Sequence, residues 1–81
     1  MGKYHKLDAV VKEKGKICGY IVYNFLAGYY EYWTLEDTRK GVNSIENGFI
    51  DARGYLRVKG KNMSDYPIKS IKDLNNCDNL V

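Results

Sequence analysis

The chain has 81 residues, a formal charge of +3 and 44% hydrophobic residues. That length admits one domain, and the hydrophobic share is too high for a disordered chain. No apolar run approaches the roughly 18 residues of a membrane helix, and none follows the charged residues 1–6 to make a secretory signal, so neither is expected.

Leu7, Ala9 and Val11 alternate with Lys6, Asp8, Val10 and Lys12 and predict a half-buried strand. Glu13-Lys14-Gly15-Lys16 predicts a hairpin turn, with Gly15 free to take positive φ. Residues 17–26 are the longest apolar stretch, rich in β-branched and aromatic side chains, and predict a central strand. Gly19 inside it predicts a bulge or the close approach of another backbone. Ala27-Gly28 is a turn, and Tyr29, Tyr30, Glu31, Tyr32 and Trp33 form a third strand. On that strand Tyr29, Glu31 and Trp33 share one face while Tyr30 and Tyr32 share the other.

Thr34 followed by Asp37 is an N-cap signal, and Glu36 and Asp37 precede Arg39 and Lys40 in the order a helix dipole favours. A helix is therefore expected over residues 35–44, with Leu35, Thr38, Val42 and Ile45 on its buried side and Gly41 as an alternative stop. Residues 47–52 and 55–59 predict two more strands joined by the turn Asp51-Ala52-Arg53-Gly54, with Leu56 and Val58 inward. Tyr66-Pro67-Ile68 is extended by the proline and expected to pack across the sheet. Residues 73–81 are expected to fray, which leaves a single domain over residues 1–72. The order β-β-β-α-β-β predicts an α+β fold, a small antiparallel sheet of about five strands under one short helix. An OB-like barrel shares that order and is the alternative.

Catalytic and metal chemistry find little to stand on. Cys18 and Cys77 give no disulfide framework, and Cys18 lies in a strand pattern as a small packing residue. One histidine and no paired cysteines do not assemble a zinc site, so no metal or other cofactor is expected. His5 is expected to be a solvated or strand-edge histidine, and Ser44, Ser64 and Ser70 lie in no nucleophile context. The glycines make no phosphate-cradling motif. Glu31, Glu36, Asp37, Glu46 and Asp51 are expected to be solvated. The chain is accordingly expected not to be an enzyme.

Charge is uneven: residues 1–16 sum to +3, residues 31–51 to −3 and residues 55–72 to +4. Basic ends around an acidic middle can form a positive face for anionic partners, or can simply guard strand edges against pairing. Tyr20, Tyr23, Tyr29, Tyr30, Tyr32, Trp33 and Tyr55 crowd the strands. One small helix covers one face of a sheet, so some rings must stay open or enter an interface, where tyrosine contributes large contact area at small entropic cost. The expected contact surface is Tyr30, Tyr32, Trp33, Tyr55, Arg57 and Lys59. Self-association is also expected, because a chain this small buries a limited core.

Residues encoded by A/T-rich codons outnumber those encoded by G/C-rich codons by more than two to one, which points to an AT-rich genome. Gly19-Tyr20, Thr34-Leu35 and the run Ile45-Glu46-Asn47-Gly48-Phe49-Ile50-Asp51-Ala52-Arg53-Gly54-Tyr55-Leu56-Arg57-Val58-Lys59-Gly60 carry a resemblance, and Tyr66-Pro67-Ile68 extends it. These segments, about half of the chain, resemble small proteins encoded by phages and prophages of low-GC Gram-positive bacteria, mostly without assigned function. The shared pattern is a hairpin turn with its flanks and not a catalytic motif. The resemblance implies a phage or prophage accessory protein in the cytoplasm of a bacterial host. Some members of such a group inhibit bacterial antiviral immunity, in the manner of anti-CRISPR or other anti-defence proteins. The expected partner is then a host immune protein. Two alternatives are an oligomeric sponge for an anionic nucleotide signal and an OB-type single-stranded nucleic-acid binder, the latter less favoured by a charge of only +3. No membrane partner is expected.

Overall fold

In a computed structural model, residues 3–76 are described. The element order is β1 His5–Glu13, β2 Lys16–Asn24, β3 Tyr29–Thr34, α1 Leu35–Gly41, β4 Gly48–Ile50, β5 Leu56–Val58 and β6 Ile68–Lys69. Three 3-10 turns add Val42–Ser44, Met63–Asp65 and Ile71–Asn76. The fold is α+β, as the sequence predicts, but its strands divide into two sheets. A four-stranded sheet has the order β3-β2-β1-β6, and β4 and β5 form a separate hairpin. That hairpin makes no ladder with the larger sheet, so the OB-like barrel is not formed among the described residues.

The turns follow their local chemistry. Lys14 and Gly15 both take positive φ, the requirement of a two-residue hairpin loop twisted to match its strands. At Asp51, the carboxylate accepts the N–H of Arg53 and of Tyr55, the Gly54 N–H donates to the Asp51 carbonyl, and Gly54 has φ +91°. Thr34 caps α1 reciprocally: its hydroxyl accepts the Asp37 N–H, and Asp37 accepts the Thr34 N–H. The α-helix ends at Gly41 and tightens into the 3-10 turn. Gly41 lies against the Trp33 ring, where a Cβ would come within 2.7 Å of ring carbon.

Several expectations are corrected. β2 stops at Asn24, not at residue 26, because the Asn24 carboxamide oxygen accepts the Leu26 and Ala27 N–H groups and pulls the chain into its turn. Phe25 and Leu26 are consequently exposed. Leu7, Ala9 and Val11 do not share a face. Asp8 is an extra residue against β2, and the bulge sends Leu7 to one side and Ala9 and Val11 to the other. Cys18 is a second extra residue, on β2, which puts Ile17 and Tyr20 together. Gly19 beside it allows the close approach its sequence position implies: a Cβ there would sit 2.5 Å from the Trp33 carbonyl.

Tyr66-Pro67-Ile68 does not cross the sheet. The Pro67 carbonyl accepts the Val10 N–H, and β6 joins β1 in parallel, so the sheet is mixed and not purely antiparallel. Asp73 and Leu74 belong to the last 3-10 turn, which extends the chain's order past the boundary expected at residue 72. Ser70 and Asp73 bond each other there, and the Glu13 carboxylate accepts the Ile71 N–H. Cys77 and the rest of the expected frayed tail lie outside the described residues.

The two bulges sort the apolar residues into two clusters. Leu7, Val10, Tyr20 and Val22 face Ile45, Leu56 and Val58, with Trp33, Leu35 and Val42 packed around them. This is the core between the large sheet and its roof of α1 and the β4–β5 hairpin. The Tyr20 phenol reaches through it to accept the Leu56 N–H at 3.1 Å, and burial raises its pKa. On the opposite face Ala9, Val11 and Ile21 are covered by Leu74.

Candidate functional site

The face opposite the main core carries tyrosines. Tyr23 and Tyr30 are cross-strand partners whose rings lie 4.8 Å apart, tilted by 56°. Tyr32 is next on the same face of β3, half-buried against Ala9, Val11, Ile21 and Leu74. Its hydroxyl donates to the Cys18 carbonyl at 3.0 Å. Burial, and then the neighbouring Cys18, push its pKa up to about 12, so the phenol stays neutral. Leu74 roofs the Ala9–Val11 region. Tyr30, at 39% exposure, stands in the part left open.

Trp33 does not join this surface. Strand alternation turns it to the core side, where its ring lies 4.7 Å from that of His5. Tyr55, Arg57 and Lys59 also lie away from Tyr30 and Tyr32, on the hairpin that roofs the opposite face. Tyr55 and Arg57 line a cleft of about 560 Å³ with Asp51 and Arg53, and Arg57 approaches Asp51 at 3.8 Å. The N–H of Tyr55 is the chief cause holding the Asp51 carboxyl below its usual range. Lys59 lines a second cleft of about 300 Å³ with Lys6, Lys61, Asn47, Glu46 and Tyr66. The six residues expected to form one contact surface therefore fall into four places: the open face, the core, and two clefts beside the hairpin. The second cleft does bring the two basic stretches together, through Lys6 from one and Lys59 and Lys61 from the other.

A buried polar network is not foreseen from sequence. His5 is 5% exposed, not solvated, and Glu31 is 7% exposed among acids expected to face water. His5 Nε2 lies 3.2 Å from Glu31 Oε1, and Trp33 Nε1–H donates to the same oxygen at 2.8 Å. His5 Nδ1 lies 3.0 Å from Ser44 Oγ. The Glu31 carboxylate accepts only, so His5 Nε2–H donates to it. The connectivity Ser44–His5–Glu31 is that of an acid–histidine–hydroxyl relay. None of the three residues lines either cleft, however, and Ser44 Oγ also lies 2.9 Å from the Gly41 carbonyl. What the network does is tie the start of β1 to β3 and to the end of the helical segment. The signal for it lay in the alternation that puts Glu31 beside Trp33 on the inward side of β3.

No group of three or more metal-ligating side chains is found among the described residues, and no helix there is long and apolar enough to cross a membrane. No family model matches the chain, and no curated protein or solved structure is significantly similar to it.

Proposed function

We propose that this chain is a phage or prophage accessory protein that acts by binding, without catalysis, to a component of bacterial antiviral immunity in the host cytoplasm. The observation that carries the binding reading is the open tyrosine face. Tyr23, Tyr30 and Tyr32 present ring surface where a self-contained domain would place a roof. Tyrosine suits this role because it offers broad contact and a polar tip without a large entropic cost. The immune partner rests on the resemblance of residues 45–60 to small phage proteins. The engagement of Ser44 and His5 inside the fold supports binding over catalysis.

The test is recovery of bound host proteins from extract of phage-infected cells, with wild type and Tyr30→Ser compared at equal folded fraction. The reading expects one host protein held by wild type, insensitive to moderate salt and lost with the variant. Equal recovery by both proteins would contradict it.

A second reading is favoured by one observation, the gathering of Lys6, Lys59 and Lys61 around a cleft that also holds Tyr66. Ammonium groups there would meet phosphates and the Tyr66 ring a base, as in sequestration of a nucleotide signal. Calorimetric titration with an anionic dinucleotide separates the two readings. Binding abolished by Lys59→Glu and steeply weakened by salt supports the sponge, and no heat at any salt concentration removes it. The single-stranded nucleic-acid reading has less support, because the described residues form two separate sheets and not a barrel.

A further inference from the structure

We infer that the free edge of β3 pairs, antiparallel, with β3 of a second copy of this chain. The inference stands apart from the proposed host partner. It rests on a contrast between the two edges of the four-stranded sheet.

At one edge stands β6, two residues long, preceded by Pro67 and containing Lys69. A short strand, a proline and a lysine are the ordinary means by which a sheet edge avoids pairing with another chain. The other edge is β3, six residues in regular register with β2 from Tyr29 to Thr34, with no bulge. It contains no lysine and no proline. In an antiparallel ladder, alternate residues turn their N–H and C=O groups outward. Beyond the β2 ladder, the backbone groups of β3 that are bonded belong to Thr34, whose N–H meets Asp37 and whose carbonyl accepts from Thr38. Among the described residues nothing bonds the outward groups of residues 29–33.

The occupant follows from the side chains. The one charge on β3 is Glu31, and it is buried on the core side with His5 and Trp33. Two copies of β3 therefore meet without like charges across the new ladder. An antiparallel pair of identical strands is self-complementary about a twofold axis, so each copy supplies the donors and acceptors the other lacks. Alternation then places Tyr30 and Tyr32 of both copies on one continuous face. A domain of this size also gains from association what a limited core does not supply.

The experiment is backbone amide hydrogen exchange with sedimentation, run from low to high micromolar protein. The expected result is a mass rising from 9.3 kDa toward twice that value. The outward amides of residues 29–33 should slow in parallel, while those of β6 stay unchanged. Tyr30→Lys, which sets two ammonium groups near the axis, should return the protein to a monomer. Ile68→Lys, at the exposed far edge, should leave the dimer intact. A mass of 9.3 kDa throughout would overturn the inference. So would a dimer whose β3 amides exchange freely. Protection of these amides that does not change with concentration would mean that the chain covers its own edge, and would overturn it as well. The wild-type exchange result stands even if Tyr30→Lys fails to fold.

Discussion

The two faces of the large sheet are built from the same three long strands and differ in what they bury. One face presents Leu7, Val10, Tyr20 and Val22 to a roof of helix and hairpin, and its side chains are almost wholly withdrawn from water. Among the described residues, the other presents Ala9, Val11 and Ile21 to Leu74, and beyond them tyrosines stand half-open. The difference lies in chemistry as well as coverage. Where the sheet is roofed, even the polar tip of Tyr20 is bonded to backbone. Where it is not, the residues are ones that tolerate both water and a partner. The proposed recognition rests on this difference between the two faces.

If that division is right, truncation should separate the faces cleanly. Leu56→Ala removes a fully buried side chain from the roofed core and should cost about 2–5 kcal/mol, the range for such cavities. In a domain of this size that is a fall in melting temperature of roughly 10 °C or more. A fall of a degree or two would mean that the hairpin is not a true roof. Glu31→Ala comes next. It leaves the Trp33 indole N–H and His5 Nε2 without their partner and should cost about 1–3 kcal/mol by thermal melting, with the partly open Trp33 limiting the loss.

Alkaline titration reaches both faces at once. Tyr20 and Tyr32 have raised pKa values, chiefly from burial, and Tyr32 reaches about 12. An unfolded tyrosine ionises near about 10. The folded state therefore holds more protons than the unfolded one above that pH, and stability must fall as pH rises from about 10 toward 12. On the acid side, Asp51 and Asp73 have lowered pKa values because the N–H groups of Tyr55 and Ser70 favour their charged forms. Their contribution is present above the ordinary carboxylate range and is lost as pH falls below it. Chemical denaturation across both limbs should show the two declines. The smallest effect belongs to the open face: Tyr30→Ser should shift the melting temperature by no more than a few degrees while removing partner binding. A large thermal loss there would make Tyr30 a core residue.

Much of the fold was legible because its signals are local. The Thr34–Asp37 cap, the Lys14-Gly15 loop and the Asp51–Gly54 turn each lie within a few residues, and each forms as its chemistry demands. The inward pair Leu56 and Val58 followed from alternation within one short strand. What was hidden depends on contacts far apart in sequence. A period-two reading assumes an unbroken pleat; the extra residue Asp8 breaks it without any mark in the sequence, whereas the extra residue Cys18 sits beside Gly19, the position that predicts a bulge. The parallel pairing of β6 brings Ile68 beside Val10, which no nearby residue announces. The His5–Glu31–Ser44 network spans separations of 26 and 39 residues, and a lone histidine gives no hint of partners so distant. Of the expected contact residues, Tyr30 and Tyr32 stayed together because one strand holds both. Trp33 was lost to the core by the same alternation, and Tyr55, Arg57 and Lys59 went with the hairpin to the other side.

The division between the faces is tested most directly by nitration of the native protein, with the modified tyrosines mapped by peptide mass spectrometry at a concentration where the chain is monomeric. Tyr30 should react early and Tyr20 last, with Tyr20 modified only as the fold is lost. Equal rates at Tyr20 and Tyr30, or a protected Tyr30 in the isolated monomer, would contradict that division.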